Sequence, residues 1–392
     1  MDFGAAKVYR IHSHTSPHFL TGNAIHPHPP NPKRSKQMKI TRVLFSLVVA
    51  FVLLATAAGC AAPAATPEPA KPAAPAATEK PAEPAAPKAT EAPAKKVYTY
   101  KDMVVGFLQT GSEGGWRAAN SASFKETAAQ LGITLKFYDS QNDLAKQVAG
   151  FQQFIQDPEV NVIVMSPLET TGWEQVLKDA KAAGKPVILS DRRIDGFEDY
   201  YVTFIGADFV EEGRKAGREM CELLKDSPSK NVWELVGNVG SAPAIDRGTG
   251  FRETAAACGI TVTKSQTANW SVVEGKQVTE AWLKETKDVQ GIFGQNDEMA
   301  FGAIEALKEA GLVPAVDVKI ISVDATAGAF QAMLDGTLNV TVECNPLLAP
   351  QVYEAALAAL NGESLPKWIP SQESVFYMTD PKLKEIAAGR KY

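Results

Sequence analysis

Histidine is missing from almost all of this 392-residue chain: the five present, His12, His14, His18, His26 and His28, stand within its first 28 positions. Beyond them no Ser-His-Asp or Cys-His nucleophile can be assembled, and no metal can be held through imidazole. Cysteine is scarce too. The four present, Cys60, Cys221, Cys258 and Cys344, include no CxxC pair, so no zinc or dithiol motif is spelled out. One pair among the last three can bridge, although the spacing does not say which; buried apolar thiols are the plainer expectation. No DxDxDG loop offers a calcium site. The pattern Gly111-x-x-Gly114-Gly115-Trp116 is not the GxGxxG of a dinucleotide loop, and the Trp116 ring would block approach to a pyrophosphate. Cationic excess is lacking as well. From residue 60 onward 33 Lys and Arg face 44 Asp and Glu, a net charge of −11, with no basic cluster to neutralise phosphates. Nucleic acid is thereby excluded as a partner, and only carboxylate, Lys, Tyr or Cys chemistry stays open to an enzyme.

No apolar run is long enough to cross a bilayer. Val43 to Ala58, broken by Ser46 and Thr56, falls short of the roughly 20 residues a spanning helix needs and fits the apolar stretch of an export signal. Lys39 and Arg42 supply the positive start, and Ala57-Ala58-Gly59-Cys60 the small-residue end, so residues 38–59 read as a signal peptide. That end resembles the bacterial lipobox, in which the signal is cut on the N-terminal side of a cysteine that is lipidated, except that Ala57 stands where Leu is preferred. Cys60 is therefore the expected lipidation site. Residues 1–37 precede a signal that has its own Met38, and are expected to be a non-native upstream extension. Residues 60–96, rich in Ala, Pro, Glu, Lys and Thr, cannot bury enough apolar surface to fold and form a disordered tether. A lipidated cysteine on such a tether anchors a domain to the outer face of the cell membrane, or within a periplasm, without spanning it.

From Val97 onward β-branched runs alternate with amphipathic stretches. Strands are expected at Val104–Phe107, Ile133–Tyr138, Val160–Met165, Val187–Leu189 and Tyr201–Ile205, then at Asn231–Val236, Ile260–Thr263, Val289–Phe293 and Val318–Val323. Helices are expected at Trp116–Leu131, Leu144–Ile155 and Glu174–Ala183, then at Pro243–Ala257, Glu274–Glu285 and Glu298–Ala310. This rhythm predicts an α/β fold of two doubly wound parallel-sheet lobes.

Ligands of open α/β sheets bind beyond the carboxyl ends of the strands. Those positions carry Gly111 to Arg117, Ser190 to Arg193, Asp246 with Arg247, Gln295 to Asp297, and Asp324. A flat aromatic face, Arg donors and carboxylate acceptors are what a monosaccharide requires: a surface for its C–H patch and planar groups for hydroxyls that both donate and accept. Each residue has a plainer role available. Asp191, Asp246 and Asp297 can cap helices, Trp116 can pack in a core, and the arginines can pair with structural carboxylates. Five strand ends with the same chemistry outweigh those separate readings. A glycosidase built on Glu113 and Asp191 is disfavoured because flanking arginines keep both ionised, and a transcription regulator would need a helix-turn-helix where the signal and tether stand.

At these residues the chain resembles the periplasmic sugar-binding proteins of the ribose/galactose type (type I), and within them the galactofuranose-binding members of bacterial ABC importers. The resemblance runs from about Val104 to the C-terminus. It is carried by Gly111-Ser112-Glu113, Gly115-Trp116-Arg117-Ala118-Ala119, Thr171-Gly172-Trp173-Glu174, Asp191-Arg192, Ala244-Ile245-Asp246-Arg247, Asn296-Asp297 and Ser322-Val323-Asp324. It implies sugar contacts from Glu113, Gly115, Trp116, Arg117, Asp191, Arg192, Arg247, Asn296 and Asp324. It also implies three hinge crossovers, with one lobe of residues 97–206 plus 344–368 and another of 207–343 plus 369–392. Gln295 stands where the family has His, Ala325-Thr326-Ala327 replaces a Gly-containing stretch, and Cys344-Asn345 differs near the last crossover. The implied protein is a monomer without cofactor, catalytic residue or metal. It would hand a monosaccharide, galactofuranose or a related aldose, to an import permease; the alternative is presentation of the sugar to a chemoreceptor or sensor kinase.

Overall fold

The computed structural model describes residues 96–112 and 114–392. The expected extension, the signal, Cys60, all of the tether but Lys96, and Glu113 lie outside the described residues.

The first lobe alternates β1 (Val104–Gln109), α1 (Gly115–Leu131), β2 (Thr134–Asp139), α2 (Leu144–Gln156), β3 (Val162–Met165), α3 (Glu174–Ala182), β4 (Val187–Ser190) and β5 (Thr203–Gly206). Every residue of β3 and β4 is buried, as expected of central parallel strands covered by helices on both faces. The second lobe starts with α4 (Phe209–Leu223) and β6 (Asn231–Val236). It continues through α5 (Ala242–Ala257), β7 (Thr261–Thr267), α6 (Val272–Glu285), β8 (Gly291–Gly294), α7 (Asp297–Glu309), β9 (Lys319–Asp324), α8 (Ala327–Leu334) and β10 (Val340–Glu343). The chain then returns to the first lobe with α9 (Ala349–Asn361) and β11 (Trp368–Pro370), and ends in the second with β12 (Val375–Tyr377) and α10 (Leu383–Gly389). Each lobe is a six-stranded sheet, ordered β11-β5-β4-β3-β1-β2 and β12-β10-β9-β8-β6-β7. Neighbours are parallel except β10 and β12.

The chain passes between the lobes three times, after β5, β10 and β11. The passages are tied together where Ser371 N donates to Gly206 O at 3.1 Å and Glu343 N to Ser374 O at 2.8 Å. The expected boundary after Trp368 falls two residues early, because Trp368, Ile369 and Pro370 all pair with Phe204, Ile205 and Gly206 of the first sheet.

Two helix pairs flank the second sheet at backbone contact. A Cβ on Gly213 of α4 would lie 2.1 Å from Arg247 O, and one on Gly250 of α5 would lie 2.0 Å from Val210 O. Only glycine permits that approach. The α6–α7 pair repeats the device, Gly302 standing 2.1 Å by the same measure from Val272 O. Cys221 and Cys258, at the ends of α4 and α5, form a disulfide with Cα atoms 5.9 Å apart; the expectation of three thiols is corrected, and among the described residues Cys344 alone is free, and it is buried. Close helix packing, invisible in spacing, brings the two sulfurs together.

Candidate functional site

Strand ends of both lobes meet across a cleft. In the first lobe, Trp116 and Arg117 enter from the first turn of α1, and Asp191 and Arg192 from the end of β4. Arg117 Nη2 donates to Asp191 Oδ2 at 2.7 Å and its Nη1 to Gln109 Oε1 at 3.1 Å, while Ser166 Oγ donates to the same Asp191 oxygen at 3.0 Å. Trp116 Nε1 donates to Cys344 O at 2.6 Å, which fixes the ring against the second crossover. Arg192 Nε stands 3.8 Å from Asp191 Oδ2.

In the second lobe, Arg247 projects from α5, Asn296 caps α7 and Asp324 closes β9. Arg247 Nε donates to buried Glu212 at 2.6 Å and its Nη1 to Gln295 O at 2.6 Å, and its Nη2 lies 3.7 Å from Asp324 Oδ1. Burial opposes the Arg247 charge, yet Glu212 and Asp324 raise its pKa above the ordinary value. Burial drives Asp324 well above the usual carboxylate range, with Arg247 pulling the other way.

Seven of the nine expected contacts, Trp116, Arg117, Asp191, Arg192, Arg247, Asn296 and Asp324, line one cavity. Its three arginines and two aspartates are each no more than 4% exposed. Gly115 sits at the rim instead, its N–H donating to Glu298 Oε1 of the other lobe at 2.7 Å. Glu113 is outside the described residues. Two further contacts span the lobes: Arg193 holds Asp246 through both guanidinium ends, at 2.5 and 3.2 Å, and Thr170 N donates to Gly240 O at 3.0 Å. Asp246, open to a capping role in the sequence, is thus an interlobe ion pair. Asp297 is a buried anchor that accepts from Ser322, Thr326 and Thr341.

Sequence reading missed Pro243, Cys344 and Trp270, which also line the cavity. Trp270 is the consequential omission. The β7 strand was expected to end at Thr263 but runs to Thr267, so Asn269-Trp270 occupies the carboxyl-end position where ligand groups are sought. The Arg192 and Arg247 guanidinium carbons stand 5.9 and 5.8 Å from its ring centroid. Its buried Nε1 has no hydrogen-bond partner among the described residues. Gly237 makes room for the ring, since a Cβ there would come within 1.9 Å of it. Asp191, Trp270 and Asp324 all have positive φ, at 66°, 61° and 122°. Such backbone strain on non-glycine residues gathers at sites where side-chain direction is imposed by function.

Of the flagged departures, Gln295 faces away from the cavity: its Nε2 donates to Glu234 Oε1 at 3.0 Å and its Oε1 accepts from Gly237 N at 3.0 Å. Thr326 caps α8. Glu212, Cys344 and Glu373 have potential ligand atoms within 4.8 Å of one another. This group is an acid pair beside a neutral thiol. Burial, with Glu212 next to it, pushes Glu373 up to about 10, and burial likewise raises the Cys344 thiol.

Two α/β lobes with charged side chains buried between their strand ends define a receptor that holds a solute and leaves it unconverted. The family described as periplasmic binding protein domain matches residues 105–364, and the chain belongs to it. Membership implies an extracytoplasmic location. The galactofuranose-binding protein YtfQ of Escherichia coli is 37% identical over 289 residues, spanning 72% of this chain and 90% of that protein. A Mycobacterium smegmatis structure in complex with β-D-fucofuranose is 42% identical, with a TM-score of 0.71 over 74% of this chain and 95% of its own. The periplasmic binding protein of an arabinose ABC transporter from Shewanella sp. ANA-3, bound to α- and β-L-arabinofuranose, is 38% identical, with a TM-score of 0.70 over 74% and 96%.

Proposed function

We propose that this protein captures a monosaccharide in its furanose form between the two lobes and delivers it to an ABC import permease. The observation that carries this is the cavity itself. Arg192 with Asp191 and Arg247 with Asp324 are separated by 3.8 and 3.7 Å, wider than a hydrogen bond. A hydroxyl set at each gap can accept from the guanidinium and donate to the carboxylate. Trp116 and Trp270 supply apolar faces for the C–H patches of the ring, and Trp270 Nε1 is a further donor. The furanoses named for the relatives support the ring form, and galactofuranose or L-arabinofuranose is the substrate class. Cys60 carries the lipid, residues 60–96 the tether, and the protein works as a monomer.

Calorimetric titration with galactose, arabinose, ribose, xylose and glucose tests the reading. Affinity that tracks the measured furanose fraction of each solution is the expected result. Tight binding to a sugar with negligible furanose content reassigns the ring form, and no binding to any of the five removes the sugar reading.

A further inference from the structure

Beside the inner cavity lies a second space of about 610 Å³. Ser112 and Asn142 line it from the first lobe, Asn238, Asn269 and Glu274 from the second, and Trp270 belongs to both spaces. Ser112, Asn142 and Asn269 are exposed, so this outer chamber faces solvent. Its amide and hydroxyl groups have the same chemistry as a sugar subsite.

The two spaces abut at neighbouring residues. Gly114 lines the outer chamber and Trp116 the inner cavity; Glu298 lines the outer chamber and Asn296 the inner cavity. Between each pair runs the same bridge. Glu298 Oε1 accepts from Gly115 N at 2.7 Å across the lobes, and its Oε2 accepts from Asn296 Nδ2 at 3.0 Å. Gly114, at φ 104°, admits the carboxylate, because a Cβ there would lie 2.5 Å from Glu298 Oε1. A chain of hydrogen bonds thus reaches from one lobe to the other along the partition.

We infer that Glu298 is a specificity gate: by bridging Gly115 and Asn296 it seals the inner cavity from the outer chamber and limits the ligand to one unsubstituted sugar unit. A sugar with a substituent on the carbon facing Glu298 cannot be enclosed unless the bridge opens. With the carboxylate removed, that substituent enters the chamber lined by Ser112, Asn142 and Asn269. Gly115 then acts through its N–H as the fixed post of the gate.

This inference rests on sugar capture in the cleft. Its test uses the full chain, L-arabinose and D-galactose, their methyl furanosides, and the mono-O-methyl ethers of each sugar. The wild type is expected to bind at least one parent sugar and to bind its methylated forms at least about thirtyfold more weakly. Glu298→Ser is expected to narrow that gap at least tenfold for one or more methylated forms. Glu298→Gln keeps an acceptor for Gly115 N but sets its NH2 against Asn296 Nδ2, so its discrimination is expected to fall between those of the wild type and Glu298→Ser. If Glu298→Ser does not fold, Glu298→Asp, too short to span the gap, carries the same expectation. Unchanged ratios in the shortened variant, or equal binding of parent and methylated sugars by the wild type, overturns the gate and leaves sugar capture standing. Absence of any parent-sugar binding in the wild type overturns both.

Discussion

Arg247 links the fold to the cavity. It holds Glu212 behind it and faces Asp324 before it, so truncation leaves a fully buried carboxylate without its counter-charge. Removing one partner of a buried pair costs about 3–5 kcal/mol. Arg247→Ala is therefore expected to lose most of the urea resistance of the second lobe and to weaken sugar binding by more than about a hundredfold. Gln295→His makes the opposite case. The side chain faces Glu234, so ligand affinity measured by calorimetry is expected to stay within about twofold while stability changes. Glu373 carries a pH signature. Its pKa is raised in the folded chain by burial and by Glu212, whereas in the unfolded chain it ionises in the ordinary carboxylate range. Above that range the folded state binds the extra proton, and stability falls as pH rises. Glu373→Gln is expected to flatten this fall between about pH 6 and about pH 9 in urea denaturation, and an unaltered slope would count against the raised Glu373 carboxyl.

At the scale of elements, the parallel strands β1 to β9 were legible because β-branched runs such as Val162-Ile163-Val164-Met165 have no other comfortable home, whereas β10 went unread. Helix α4 was not. Gly213 and Gly217 weaken its local helical signal, and both are explained only by α5, which packs against them at backbone distance. With α4 unread, Glu212 was invisible as the partner of Arg247. The late end of β7 hid Trp270 for a related reason: Lys264, Ser265 and Gln266 are polar, and the register with β6 extends the strand past its apolar part. The short strands β11 and β12 are made by pairing with their neighbours rather than by local preference. Gly250→Ala forces a Cβ toward Val210 O and is expected to separate α4 from α5. Lowered stability and weakened sugar binding should appear together, as Arg247 rides on α5. Reduction of Cys221–Cys258 releases a link between residues 37 apart and is expected to cost about 3–4 kcal/mol, read by urea denaturation with and without a reductant.

At the scale of the whole molecule, contacts that join the lobes away from the crossovers include Arg193 with Asp246, Thr170 with Gly240, Gly115 with Glu298, and Arg192 against the Trp270 ring. A ligand that bridges the two cavity walls adds to these and shifts the population toward closure. Burial, with the adjacent charge of Asp297, pushes Glu298 up to about 7 against an ordinary value of 4.5, and parting the lobes, which exposes the carboxyl, is expected to bring it down. Closing takes up a proton between these values, so sugar affinity is expected to fall several-fold as pH rises from about 5 to about 7.5 and to level off beyond. Glu298→Gln should remove that dependence in calorimetric titrations, and a dependence that survives the substitution would assign it to another group.

The most direct measurement is a crystal structure of the protein with L-arabinose or D-galactose. One furanose ring is expected in the cavity between Trp116 and Trp270, its hydroxyls bridging Arg192 to Asp191 and Arg247 to Asp324. A pyranose in that place would contradict the ring form, and a sugar bound elsewhere with the cavity empty would contradict the site.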